Sequence, residues 1–240
     1  MADLRAVIFD YYETLAELTE PVRERAFDGL ARRLKVDLPP GEALQHWREL
    51  TTEDWTLTLG GLQRHPLDGP TPQFRSFREV WLERSQQLFQ HWGVDTPAEV
   101  GADASRDMHA GVGLYPDVQP ALEALRSRYR LAVFSDADRD FIDPNVHRHS
   151  LAFEAVVTSD ELRTYKPHRS VFHETCARLE VAPEQALYVG DTPWQDVEGA
   201  RHAGLGAVWI NRHNASWPED VERPPAVVTT FGELVTLLEA

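Results

Sequence analysis

From Tyr115 to the end of the chain, short apolar runs alternate with amphipathic stretches, and this alternation restricts the fold more than any other feature. Leu131-Ala132-Val133-Phe134, Ala155-Val156-Val157, Ala186-Leu187-Tyr188-Val189, Ala207-Val208-Trp209-Ile210 and the weaker Ala226-Val227-Val228 read as strands. Val118 to Arg128, Phe141 to His149, Ser170 to Leu179, Gln195 to Ala203 and Phe231 to Leu238 read as the helices around them. Units of this length in alternation predict a parallel sheet covered on both faces. Ala6-Val7-Ile8-Phe9 has the same buried-strand character and belongs to that sheet, although it lies far upstream.

The intervening block is different. Glu20 to Lys35, Gly41 to Leu59 and Gln73 to Trp92 all show helical periodicity, punctuated by Leu38-Pro39-Pro40-Gly41 and by His65-Pro66-Leu67-Asp68-Gly69-Pro70-Thr71-Pro72. Thr96-Pro97 starts a further helix that leads back to the sheet. The expected fold class is therefore α/β: a Rossmann-like, doubly wound core of residues 1–16 plus 97–240, with an α-helical cap of residues 17–96 inserted after the first strand. Trp47, Trp55, Trp81 and Trp92 read as cap core.

At 240 residues the chain accommodates one large domain with such an insertion. No stretch approaches the roughly 20 apolar residues that cross a bilayer, and Met1-Ala2-Asp3-Leu4-Arg5 lacks the pattern of a secretory signal. The single cysteine, Cys176, excludes an intramolecular disulfide, fits a cytoplasmic location and reads as a small buried hydrophobe. A net charge of −15 argues against nucleic acid or an anionic membrane as partner. A small anionic substrate remains compatible if the pocket supplies local cations. Monomer and homodimer are both compatible with the sequence.

Three strands end in polar residues: Asp10, Ser135-Asp136 and Gly190-Asp191. Asp10 alone reads either as a turn or capping residue or as a catalytic carboxylate, since ligands bind at the carboxyl edge of open α/β sheets. Between the later two strand ends lies Tyr165-Lys166-Pro167, a cation on a stiffened backbone. Neighbouring strands would bring together a carboxylate nucleophile, a hydroxyl donor, a fixed cation and a second carboxylate able to share a divalent metal. Attack on a phosphate dianion needs its charge neutralised, and Mg²⁺ held by Asp10 and Asp191, with Lys166, would do that. The histidines show no metal-ligand spacing. Asp136 and Asp138 read as turn residues or, for Asp136, as a group facing the pocket.

These pieces resemble the motifs of the haloacid dehalogenase superfamily of hydrolases. The resemblance rests on Val7-Ile8-Phe9-Asp10-Tyr11-Tyr12-Glu13-Thr14-Leu15, Val133-Phe134-Ser135-Asp136, Tyr165-Lys166-Pro167 and Tyr188-Val189-Gly190-Asp191, with Asp196, Gly199-Ala200 and Ala203-Gly204 following. It implies Asp10 as nucleophile, Thr14 and Ser135 on the substrate's anionic group, and Lys166 steadying both. It also implies Mg²⁺ on Asp10, Asp191 and the Tyr12 backbone carbonyl, Asp196 beside the metal, and a lid-like cap over the site.

Two features pull the reaction in opposite directions. Superfamily phosphatases usually carry an acid two residues after the nucleophile to protonate the leaving group, and Tyr12 stands there instead. The 2-haloacid dehalogenases carry tyrosine at that place, and Trp47-Arg48 resembles their cap Trp-Arg, whose arginine holds the substrate carboxylate. Trp209-Ile210-Asn211-Arg212 resembles their last motif. Asp191 and Asp196, however, look like the phosphatases' metal-binding acids, whereas Phe172 replaces a dehalogenase tyrosine. Glu13, where most relatives have glycine, fits neither pattern. On its own, Arg48 reads as a solvated or salt-bridged side chain, and Tyr12 as packing between cap and core. The sequence favours a Mg²⁺-dependent phosphohydrolase of a small phosphorylated metabolite. Dehalogenase-type hydrolysis at carbon and a non-catalytic binding member are the alternatives.

Overall fold

The computed structural model describes residues 3–50, 65–224 and 226–239. Its centre is a six-stranded parallel sheet made of β1 (Ala6–Phe9), β2 (Arg130–Ser135), β3 (Ala155–Thr158), β4 (Ala186–Gly190), β5 (Gly206–Ile210) and β6 (Ala226–Val228), in the order β3-β2-β1-β4-β5-β6. The apolar runs read from the sequence become these strands because both faces are covered. Val7 and Phe9 point to one side, against the helices Val118–Leu125 and Phe231–Glu239. Ala6 and Ile8 point to the other, against Arg169–Arg178 and Gly199–His202. The strand order changes direction on either side of β1, which puts the end of β1 at the crevice where such sheets bind ligands. The register places Phe9 opposite both Val133 and Val189, so β2 and β4 run slightly past the end of β1 on either side of Asp10.

Between β1 and residue 115 the regular elements among the described residues are helices, α1 (Glu20–Arg33), α2 (Glu42–Glu49), α3 (Phe77–His91) and α4 (Glu99–Gly111), with isolated bridges joining Ala16 to Tyr12 and Leu114. Helix α2 follows Gly41, whose positive φ of 83° suits the start of the turn. The expected continuation of this helix to Leu59, and Trp55 with it, lies outside the described residues. Helix α3 begins at Phe77 rather than Gln73, because Ser76 and Glu79 form a reciprocal capping box that fixes the first turn. Helix α4 packs against α1 and α3, and also against α6 (Arg139–Arg148), which follows α5 (Val118–Leu125) and β2. Asn145, fully buried on α6, donates from its amide to the carbonyls of His109, Ala110 and Val112, satisfying the open end of α4. Cys176 is buried on its helix as expected, and burial pushes its thiol up to about 12. Among the described residues no helix is long and apolar enough to cross a membrane.

Candidate active site

Asp10 is the first residue beyond β1. Its N–H donates to the Val189 carbonyl (2.9 Å), which extends the β1–β4 ladder by one step and fixes the carboxylate at the centre of the sheet's edge. Lys166 reaches it from the loop after β3. Its ammonium donates to Asp10 Oδ1 (2.6 Å) and Asp196 Oδ1 (2.7 Å), and it lies 3.3 Å from the Tyr188 hydroxyl. All three charged groups are buried. Thr14 Oγ1 donates to Asp191 Oδ1 (3.3 Å), and Asp196 Oδ2 accepts the Thr192 N–H (2.8 Å). Gly190 is required here: a Cβ at this position would lie 2.3 Å from Asp196 Cγ.

The other expected residues are close by, with more specific employment. Ser135 closes β2, buried beside the end of β1. Asp136 Oδ1 accepts the Lys166 N–H (3.0 Å) and so places the backbone of the lysine. The Tyr12 hydroxyl donates to the His109 carbonyl (3.3 Å) and its ring packs on Tyr11, His109 and Phe141, so it bridges the first turn to α4 as well as bordering the pocket. Arg48 lies on the pocket wall, but its guanidinium makes a two-point ion pair with Glu20 and is half exposed. Asp138 does more than turn the chain. Its buried carboxylate accepts from the N–H groups of Phe77 (3.0 Å) and Arg78 (2.8 Å), capping α3 from across the sheet edge.

A cavity of about 350 Å³ lies above these strand ends, with Phe27, Leu44, Trp47 and Trp81 on the helical side and Tyr12 and Asp136 on the sheet side. Trp47 and Trp81 are thus both buried core and cavity wall.

Burial dominates the electrostatics. It raises the Asp10 carboxyl to about 6 despite the opposing charge of Lys166. Burial, together with the charges of Asp196 and Asp10, drives Asp191 well above the usual carboxylate range. Burial alone would lower the Lys166 ammonium, but the charges of Asp10 and Asp196 overcome it and hold the lysine well above its ordinary value. Asp10, Asp191 and Asp196 each present an oxygen within 4.8 Å of the others. Three carboxylates around one ammonium leave negative charge uncompensated, and an all-oxygen donor set suits a hard divalent ion such as Mg²⁺. The residues fit such an ion, with Asp10 and Asp191 as the available ligands, because both Asp196 oxygens are already engaged by Lys166 and Thr192.

Several residues that the motifs contain make contacts that the sequence did not reveal. Trp209 Nε1 donates to the Asp191 carbonyl (2.7 Å) and holds the last turn. Arg212 pairs with both oxygens of Asp117, donates to the Thr14 carbonyl (3.1 Å) and stacks on Tyr115, which clamps the first turn. Tyr188 packs edge-on against Phe172 while its hydroxyl touches Lys166 and donates to the Phe134 carbonyl. Glu13 adopts a φ of 63°, the left-handed conformation that glycine takes without strain. Its carboxylate is placed among Tyr115, His213 and Arg23, which offsets a backbone cost of about 1 kcal/mol.

The doubly wound sheet, the helical insertion after its first strand and the acidic–basic crevice at its carboxyl edge define a class of α/β hydrolases. Residues 4–204 match the family model for haloacid dehalogenase-like hydrolases, and the chain belongs to that family. It is 32% identical to (S)-2-haloacid dehalogenase 2 of Pseudomonas sp. (strain CBS-3), over 99% of this chain and 97% of that one. It is 27% identical to haloacetate dehalogenase H-2 of Moraxella sp. (strain B), over 99% of each. Phosphoserine phosphatase of Thermus thermophilus is 38% identical, but over 47% of this chain and 45% of its own. A dehalogenase crystal structure superposes with a TM-score of 0.73 over 100% of this chain and 99% of that one, at 23% identity. The chain is therefore a hydrolase acting on small substrates. Its matches back the carbon–halogen alternative better than the phosphohydrolase that the sequence favoured.

Proposed function

We propose that the chain hydrolyses a carbon–halogen bond in a 2-haloacid through an ester on Asp10. The observation that carries this reading is Tyr12: no acid stands two residues beyond the nucleophile, and the phenol that replaces it is bonded to the His109 carbonyl, so chemistry whose leaving group needs no proton suits the site. The named dehalogenase relatives that span the whole chain support it. Lys166 would hold Asp10 Oδ1 while the other oxygen attacks C2, forming a C–O bond as the carbon–halogen bond breaks and halide leaves. Water would then cleave the ester at the Asp10 carboxyl carbon, giving a 2-hydroxy acid, a proton and the restored aspartate. Thr14 and Ser135 are proposed to contact the substrate, with Arg48 and Asp136 on the pocket wall, and residues 17–96 to act as the cap over the core of 1–16 plus 97–240.

A second reading, a Mg²⁺-dependent phosphohydrolase, is favoured by the cluster of Asp10, Asp191 and Asp196. Asp10, Asp191 and the Tyr12 backbone carbonyl would hold the ion, Asp196 would lie behind them, and the bound ion would neutralise phosphate charge.

One experiment separates them. Halide release from 2-chloropropionate and longer 2-chloroacids, and turnover of p-nitrophenyl phosphate, are measured with Mg²⁺ and with EDTA. Halide release that persists in EDTA and vanishes in Asp10→Asn is expected. Phosphate release that requires Mg²⁺, without halide release, would replace the first reading by the second.

A further inference from the structure

Arg23 differs from Arg48, the other arginine in the cavity wall, in what its guanidinium is already doing. Arg48 is tied to Glu20 by two hydrogen bonds and would have to leave them to receive a ligand. Arg23 has one partner among the described residues, the Glu13 carboxylate at 3.8 Å, which is too long for a hydrogen bond. Its side chain is 31% exposed, less than the 52% of Arg48. It lines the same cavity as Tyr12, His109 and Asp136, the residues on the sheet side and beside it. A planar fork with its donors uncommitted, beside an acid that aligns it without bonding it, is an arrangement for a carboxylate brought by a ligand.

Much of the rest of the wall is apolar and large, beside the polar Tyr12, Ser105, His109 and Asp136. Phe27, Leu44, Trp47, Phe77, Trp81 and Met108 surround about 350 Å³. A cavity of this size takes a ligand of well over about five non-hydrogen atoms. Haloacetate has about five and would leave most of that apolar surface wet. A 2-halo-3-phenylpropionate has about 12. His109, which burial keeps neutral by lowering it to about 4, and the Tyr12 phenol add no charge that would repel such a group, whereas Asp136, raised by burial to about 7, opposes it as the pH rises past that value.

We infer that Arg23, rather than Arg48, receives the substrate's carboxylate, and that the preferred substrates are 2-haloacids carrying an aromatic or comparably bulky side chain rather than two- or three-carbon haloacids. This rests on the haloacid reading, but its test does not depend on turnover. Calorimetric binding of the corresponding products, 3-phenyllactate and lactate, is compared in the wild-type chain, Arg23→Gln, Arg23→Lys and Arg48→Gln, each checked for unchanged circular dichroism. Burying the ring should make 3-phenyllactate bind about tenfold or more tightly than lactate. Arg23→Gln should weaken 3-phenyllactate binding by about tenfold or more, and by more than Arg48→Gln does. Arg23→Lys, which keeps the charge without the fork, should fall between wild type and Arg23→Gln, and it carries the test if Arg23→Gln does not fold. Equal or tighter binding of lactate, no binding of either acid, or a larger loss at Arg48→Gln would overturn the inference. Binding that follows the expected order without halide release from any 2-chloroacid would instead count against the haloacid reading alone.

Discussion

Replacing Asp136 by asparagine should stabilise the protein, and only above acidic pH. The carboxyl is raised from 3.8 to about 7, chiefly by burial, and that value already includes the attraction of Lys166. Ionising it inside the fold is therefore costlier than in the unfolded chain by about 4 kcal/mol. Water in the neighbouring cavity screens part of this, so about 2 kcal/mol is the expected gain. Because the folded-state value lies above the unfolded one, the penalty is absent below about pH 4, grows as the pH rises towards 7 and is complete above that. Asparagine keeps an oxygen to accept the Lys166 N–H, so nothing is lost in exchange. Thermal melts of both proteins in EDTA, from about pH 3.5 to 9, provide the assay. Asp136→Asn should melt with the wild type at the acidic end and about 4–8 °C higher at the basic end. A difference that is flat with pH, or an asparagine variant that melts lower at pH 9, would refute the assignment of an ionisation penalty to Asp136.

Gly190→Ala would drive a methyl group to 2.3 Å from Asp196 Cγ and so displace the carboxylate that shares Lys166. A loss of about 1–3 kcal/mol in urea melts, with turnover down by at least about tenfold, is expected, and wild-type turnover would show that Asp196 does not position the lysine. Asp138→Ala removes the carboxylate that caps α3 from another element, and should lower stability by about 1–2 kcal/mol at pH 8. Burial raises Asp138 from 3.8 to about 6, so the wild type carries an ionisation penalty that is absent below about pH 4 and complete above about 6, and the loss on Asp138→Ala should be larger at the acidic end and shrink as the pH rises through that window.

What the sequence made legible was local. Strand runs, helix periodicity and polar strand ends depend on neighbours in the chain, so Asp10, Lys166 and Asp191 could be expected together once the strands were taken as adjacent, while Asp196 came with the family resemblance. The start of α3 depends on a four-residue capping pattern, Ser76 to Glu79, that a reading by periodicity alone passes over. What could not be read is pairing across long separations. Arg212 bonds the Thr14 carbonyl 198 residues away, and Asp138 caps a helix that begins 61 residues before it. No spacing rule encodes either contact. Arg48 carries two readings: Trp47-Arg48 suggests a ligand by resemblance, while the plain expectation of a salt-bridged side chain is what the structure shows, with Glu20 of α1 holding the guanidinium. Glu13 is a mixed case, since its departure from glycine was visible, while the left-handed turn it must adopt and the groups that hold it there were not.

The conflict between Tyr12 and Asp191 reduces to one question of charge. Lys166 is shared between Asp10 and Asp196, so it cannot also neutralise Asp191, whose oxygen lies within 4.8 Å of both. A nucleophilic Asp10 needs that neighbour discharged, since two adjacent carboxylates will not both ionise freely. A proton on Asp191 would achieve this at neutral pH, in keeping with its strongly raised value, and would leave a neutral group accepting from Thr14. A divalent ion between Asp10 and Asp191 would achieve it as well, while adding the positive charge that a phosphate dianion needs and a haloacid does not. A protonated turn would thus suit the proposed carbon chemistry, and a metallated one the phosphorus alternative. Loss of turnover as the pH rises in EDTA, reversed by added Mg²⁺, is the behaviour that distinguishes an acid serving in both ways from one serving in either alone.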